Sequence, residues 1–141
     1  MILSNATSIC QKNQKIIISS ENRRTHIANN PDGRFDVRHY RLDGVLIRDQ
    51  LCCDFLLVND TSRKAYYIEL KGQDVQKAVE QVLAAEKLCS ADLKGYLSHY
   101  RIIPSKAKTK ELQSVSYRRL LARVGGIRFK CKSVQMTEIL D

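Results

Sequence analysis

The sequence predicts an α/β fold, and three observations lead there. Short runs rich in β-branched and aromatic residues follow one another between residues 35 and 72, a stretch with helical spacing comes next, and each of two helical stretches is followed by another strand-like run. The expected order is therefore strands, helix, strand, helix, strand, with at least one helical crossover between neighbouring strands.

Each element has its own signal. NNPDG (29–33) is a strong turn. FDVRHYRLDGVLI (35–47) alternates as a strand with a bend at Asp43-Gly44, and CCDFLLV (52–58), NDTSRK (59–64) and AYYIELKG (65–72) read as strand, turn and strand. Three such strands in succession make an antiparallel meander. DVQKAVEQVLAAEKLCS (74–90) sets Val75, Ala78, Val79, Val82, Ala85 and Cys89 on one face, with Asp74 as N-cap, and so predicts an amphipathic helix of about four turns packed on the sheet. GYLSHYRII (95–103) is the next strand, ended by Pro104. TKELQSVSYRRLLARV (109–124) follows as a second helix, with Leu112, Val115, Leu120, Leu121 and Val124 as its buried side and Gly125-Gly126 as its stop. GIRFKCKSV (126–134) closes the domain as a final strand. The first thirty residues signal less: KIIISS is a short apolar patch, and ENRRTHIANN reads as a polar helix or a loop.

Composition bounds what such a domain does. The 141 residues are one domain's length, 43% apolar and 28% charged, which is ordinary for a globular chain. Lys and Arg number 24 against 15 Asp and Glu, and the net charge of +9 favours a polyanionic partner such as nucleic acid or an anionic membrane surface. Five cysteines, an odd number without CxxC spacing, argue against a zinc site or a disulfide framework and fit a reducing compartment. The N-terminus lacks a basic region followed by a sustained apolar one, and no apolar run approaches a membrane span, so a cytoplasmic protein without an anchor is expected.

The stretch AYYIELKG carries the chemistry. If the hairpin turns about the middle of NDTSRK, with Asn59 opposite Lys64, then Asp54 faces Glu69, and Lys71 lies one step further on the same face. Like charges directly opposed across two strands are destabilising, so something must neutralise them. Lys71 itself and a divalent cation held by hard oxygen ligands are the two candidates. An ordinary salt bridge at a strand edge is the bland alternative.

Asp54, then Glu69-Leu70-Lys71 at the end of an apolar strand, then Gly72 and an amphipathic helix, resembles the PD-(D/E)XK nuclease superfamily, whose restriction-endonuclease-like fold is a central mixed sheet flanked by helices. The resemblance covers roughly residues 41 to 105 and departs from the pattern in Cys53, where the family has proline. It implies a metal-dependent nuclease using Mg2+ or Mn2+, with Asp54 and Glu69 as metal ligands, the Leu70 carbonyl as backbone ligand and Lys71 positioning the attacking water. Gln81, ahead of Gln76, matches the glutamine that many members carry on the following helix. Glu21 is the early candidate for the glutamate that some carry on a first helix. Asp43 is chiefly turn chemistry and a reserve acid. Members of this size often act as dimers, as junction resolvases do, so the resemblance implies a homodimer as one arrangement.

Basic residues complete the reading. Arg38 and Arg41 on the first strands, and Lys106, Lys108, Arg118 and Arg119 around the last helix, are the candidates for holding a nucleic-acid backbone, with DNA expected before RNA. No base-reading motif is visible, so structure rather than sequence would be recognised. His26, His39 and His99 are scattered, and the strand tyrosines read as packing residues. The runner-up is a catalytically inactive member of the fold that binds nucleic acid or a protein.

Overall fold

Phe55–Asn59 and residues 65–69, the central strand segments, are buried on both faces, and this decides the layers. The computed structural model describes residues 2–70, 74–106, 112 and 114–141. Among the described residues, eight strands form two mixed sheets: β1 (Ile16–Glu21), β2 (Arg24–Asn29), β3 (Val37–Arg41), β4 (Phe55–Asn59), β5 (Lys64–Glu69), β6 (Leu97–Ile102), β7 (Phe129–Cys131) and β8 (Gln135–Ile139). The α-helices α1 (Val75–Cys89) and α2 (Val115–Val124), each with an N-cap, lie between them in the chain.

The larger sheet has the order β3-β4-β5-β6-β7. Its first three strands are the expected antiparallel meander, and β6 and β7 add in parallel after α1 and α2. The smaller sheet is β1-β2-β8, with β1 antiparallel and β8 parallel to β2. Strand alternation sends Leu56, Val58, Ala65, Tyr67, Tyr100 and Ile102 into one core with Val79, Val82, Ala85 and Leu120 of the helices. Phe55, Leu57, Tyr66 and Ile68 enter a second core with Ile17, Ala28 and Met136 of the small sheet. A central strand buried on both faces reads as a continuous apolar run, and FLLVN and AYYI do so.

Local chemistry sets the boundaries. Asp74 caps α1 by accepting the Lys77 N–H, and Ser114 caps α2 by accepting that of Tyr117. The NNPDG turn forms with Gly33 at φ +63, where a Cβ would meet the Asn13 carbonyl oxygen at 2.7 Å.

Four expectations need correction. ENRRTHIANN is neither helix nor loop: its residues 24–29 are β2, reached through a two-residue turn at Asn22 and Arg23, both at positive φ. The inward positions of this hairpin include Ser19 and His26, whose polarity hides the alternation. In 35–47 only Val37–Arg41 is strand, and residues 42–47 fold back on themselves, with the Ile47 N–H donating to the Leu42 carbonyl. The final run yields a three-residue β7, after which the chain crosses to the other sheet as β8. In α2 only Leu120 is buried, while Val115 and Leu121 are exposed and Val124 half-buried, because the helix presents one narrow stripe inward; Leu112, ahead of the helix, is half-buried, and residues 109–111 and 113 of the expected helix lie outside the described residues.

Candidate active site

The expected register of β4 and β5 is the one observed, with Asn59 opposite Lys64 and Phe55 opposite Ile68. One step beyond the ladder, Asp54 meets Glu69. There the backbone hydrogen bonds give way to side-chain ones: Glu69 Oε1 accepts the Asp54 N–H at 3.1 Å, and Asp54 Oδ2 accepts the Leu70 N–H at 2.8 Å. Each carboxylate thus binds the main chain of the other strand, and the two strands part at this point. The outer edges stay paired, since the Asp54 carbonyl accepts from Leu42 N–H and the Glu69 carbonyl from Ile103 N–H. Asp54 is 2% exposed and Glu69 1%. Both project toward the face that packs on α1, because they share the parity of Leu56 and Tyr67.

Around the pair the environment is electronegative. The Cys52 thiol is pushed up to about 12 by burial first and then by the fields of Asp43, Glu69 and Asp54, and Cys53 is raised by burial first and then by the fields of Glu69, Cys52 and Asp54. Neither thiol is a nucleophile at neutral pH. Asp43 is half-buried and accepts a weak bond from Cys52 Sγ at 3.9 Å, so the reserve acid belongs to the same neighbourhood. Gln81 Nε2 reaches the Cys52 carbonyl at 3.5 Å, which brings it to the segment that leads into Asp54, whereas Gln76 is exposed.

The Leu70 carbonyl accepts from Arg24 Nη1 at 3.0 Å, across from β2. Arg24 escaped sequence reasoning because it lies on a strand that the sequence did not announce, and no local signal ties it to Leu70. Glu21 sits at the end of β1, preceded among the described residues by a single 3-10 turn (Asn5–Thr7) and no α-helix, and its Oε2 is 3.7 Å from Arg41 Nη2. Arg41, opposite Phe55, therefore borders the site from the far face of the sheet.

The other basic candidates divide. Arg38 stands opposite Val58, at the other end of the meander, and its guanidinium is spent on Asp60 at 2.7 and 2.8 Å and on the Tyr40 hydroxyl at 3.0 Å. Lys106 is exposed and follows β6 at the end where Ile102 pairs with Glu69. Arg118 and Arg119 are exposed on α2, and Arg119 lines a groove of about 380 Å³ between the helices with Glu80 and Arg123. Lys71 and Lys108 lie outside the described residues.

Histidines and tyrosines are internal. His26 is bound to Glu138 at 2.6 Å and His39 to Ser19 Oγ at 2.8 Å, and His99 packs on Tyr66. Tyr66, Tyr67 and Tyr100 are core residues. Among the described residues no two cysteines form a disulfide. Among the described residues, no group of three or more His, Cys, Asp or Glu side chains is arranged to hold a metal ion. The expected ligand set is of another kind, two carboxylates and a main-chain carbonyl. Also among the described residues, no helix is long and apolar enough to cross a membrane.

Comparison with models of known protein families, with curated proteins and with solved structures returns no match to this chain.

Proposed function

We propose that the chain is a divalent-metal-dependent nuclease of restriction-endonuclease-like fold, hydrolysing phosphodiester bonds of DNA or, failing that, of RNA. One observation carries the reading: two buried carboxylates, each clamped by a backbone N–H of the opposite strand, converge where β4 and β5 part. Burying two acidic side chains together is unfavourable unless cationic charge meets them, and a sequence selected for stability alone avoids it. Cysteines without disulfides fit a cytoplasmic protein.

The donor chemistry fits Mg2+ or Mn2+, which take hard oxygen ligands. Asp54 and Glu69 would hold the ion, with Leu70 lending its carbonyl. That oxygen has two lone pairs, and Arg24 takes one. When bound, a divalent cation supplies a lowered water pKa and neutralises charge that builds on the phosphate. The chain's own part is preorganisation: the hydrogen bonds to Asp54 and Glu69 fix both rotamers before substrate arrives. Gln81 lines the approach from α1. Lys71 enters as the residue that orients the attacking water on the resemblance alone. Arg41, Lys106, Arg118 and Arg119 hold the flanking backbone, and salt weakens that hold.

A second reading, a non-catalytic nucleic-acid or protein binder, is favoured by the Arg24 guanidinium at Leu70, a cation already beside the acids. The test is cleavage of labelled linear, branched and single-stranded DNA and RNA with Mn2+ or EDTA, using wild type, Glu69→Ala and Lys71→Ala. Metal-dependent cutting lost in both variants is expected. Cutting retained in both overturns the site, and nucleic-acid binding without cutting or metal-induced thermal stabilisation favours the second reading.

For a homodimer, the supporting feature is the outward face of the small sheet. Its positions 16, 18, 20, 25, 27, 29, 135, 137 and 139 carry no ionisable side chain, and Ile16, Ile18 and Ile139 are exposed there. Sedimentation equilibrium decides between monomer and dimer.

A further inference from the structure

The β1–β2 hairpin ends beside the acidic pair. Its last rung pairs Glu21 with Arg24, and the turn at Asn22 and Arg23 takes positive φ at both residues, which holds the rung in place. From that rung Arg24 crosses to the larger sheet and gives Nη1 to the Leu70 carbonyl at 3.0 Å. The N–H of the same residue, Leu70, goes to Asp54 Oδ2. Arg24 and Asp54 therefore meet the two polar groups of one peptide residue in the gap between β4 and β5.

A guanidinium carries five N–H donors in a planar fork, and the bond to Leu70 uses one. Arg24 Nε is buried and, among the described residues, has no hydrogen-bond partner. A buried donor without an acceptor costs free energy, and chains keep such groups where an acceptor arrives from outside. The acceptor must be compact, anionic and rich in oxygen, because it meets a guanidinium fork at the mouth of a gap lined by polar main chain. A phosphate group has that chemistry. Arg41, 3.7 Å from Glu21 and stacked over Phe55 at 5.5 Å, adds a second guanidinium on the same side.

We propose that Arg24 is a phosphate-binding residue of this site: the hairpin delivers its guanidinium to the parted strands, and its N–H donors not used by Leu70 take a non-bridging oxygen of a nucleic-acid backbone. The proposal rests on the nuclease reading of the acidic pair and adds a residue to it. Substrate is gripped between α1 on one side and the hairpin on the other, and the hairpin's cation fixes the phosphate against Asp54 and Glu69.

The test uses the full chain with Arg24→Gln and Arg24→Lys, and Lys94→Gln as a control that removes one positive charge from an exposed position before β6, at the other end of the sheet. Binding of a fluorescein-labelled DNA oligonucleotide, single-stranded and duplex, is titrated in Ca2+ at several salt concentrations, and kcat and KM are measured in Mn2+. Arg24→Gln is expected to raise Kd by about tenfold or more, and to reduce the slope of log Kd against log salt by about one, as loss of one phosphate contact requires. Arg24→Lys keeps the charge without the fork and falls between; Lys94→Gln leaves the slope unchanged. If circular dichroism finds Arg24→Gln unfolded, Arg24→Lys decides. A wild type that binds, with the deciding variant within twofold of it and equal in slope, overturns the inference and leaves the nuclease reading standing. A wild type that neither binds nor cuts overturns that reading, and the inference falls with it.

Discussion

Glu69 accepts the backbone N–H of Asp54 at 3.1 Å, so one acid of the central pair is held by the main chain that carries the other. The reciprocal bond, from Leu70 N–H to Asp54, is shorter at 2.8 Å. The pair is thus part of how the two strands end as well as a candidate for chemistry, and the two roles separate by substitution.

Asp54→Asn keeps an acceptor for the Leu70 N–H, whereas Asp54→Ala removes it and leaves a buried donor. Urea denaturation is expected to find the alanine variant less stable than the asparagine variant by about 1–3 kcal/mol. If the pair holds a metal ion as proposed, wild type gains thermal stability with Mn2+ and both variants lose that gain. Equal stability of the two would mean that the Leu70 bond contributes nothing.

Glu138 joins the two sheets. Its carboxylate meets Arg101 at 2.7 and 3.0 Å and His26 at 2.6 Å; although burial pushes its pKa up, the bonds from His26 and Arg101 hold it far below the usual range. Because the folded value is depressed, this stability is fully present above the ordinary 4.5 and is lost as pH falls below it. Glu138→Gln is expected to cost about 3–5 kcal/mol at pH 7, by leaving Arg101 buried without its charge partner. Measured by urea denaturation, wild type should weaken below pH 4.5 more steeply than the variant.

His39 and His99 titrate in a separate window. Burial lowers both from 6.5 to about 4, with His26 adding to the effect at His39 and Arg101 at His99. Unfolded chains therefore bind more protons between those values, and stability is lost as pH falls from 6.5 toward 4. His39→Gln should flatten the fall of the urea midpoint across that range. An unchanged slope would mean that His39 is not buried in its neutral form.

Thiol labelling tests the burial of the segment before Asp54. Cys52, Cys53 and Cys89 are buried, with Cys52 pushed up to about 12, whereas Cys10 and Cys131 are half-buried. Iodoacetamide at pH 8, read by peptide mass spectrometry, should modify Cys10 and Cys131 first and leave Cys52 and Cys53 for denaturant. Early labelling of Cys52 would mean that the site wall opens in solution.

The meander and α1 were legible because their signals are local. The turn NDTSRK sets the pairing of Asn59 with Lys64, and that one register carries Asp54 to Glu69. The hairpin and β8 were not legible for the opposite reason. Polar Ser19 and His26 point inward, where they bond to His39 and Glu138, while Ile16 and Ile18 point outward, so a search for alternating apolar residues finds no clean pattern. Arg24 inherits that blindness, since its partner Leu70 is 46 positions away. For α2 the apolar spacing was present, yet a helix with a single buried leucine does not need most of it.

β2 is completed only by β8, aligned from Thr25 with Gln135 to Asn29 with Ile139, and His26 meets Glu138 across 112 positions of chain. During synthesis the hairpin that bears Arg24 therefore waits for its parallel neighbour until residues 135–139 have left the ribosome. Closing so long a loop is entropically costly and slow, whereas the β4–β5 turn closes early. The acids come together first and the guanidinium beside them is anchored last, so a nascent chain holds its charged centre before the proposed phosphate contact of Arg24 is in place.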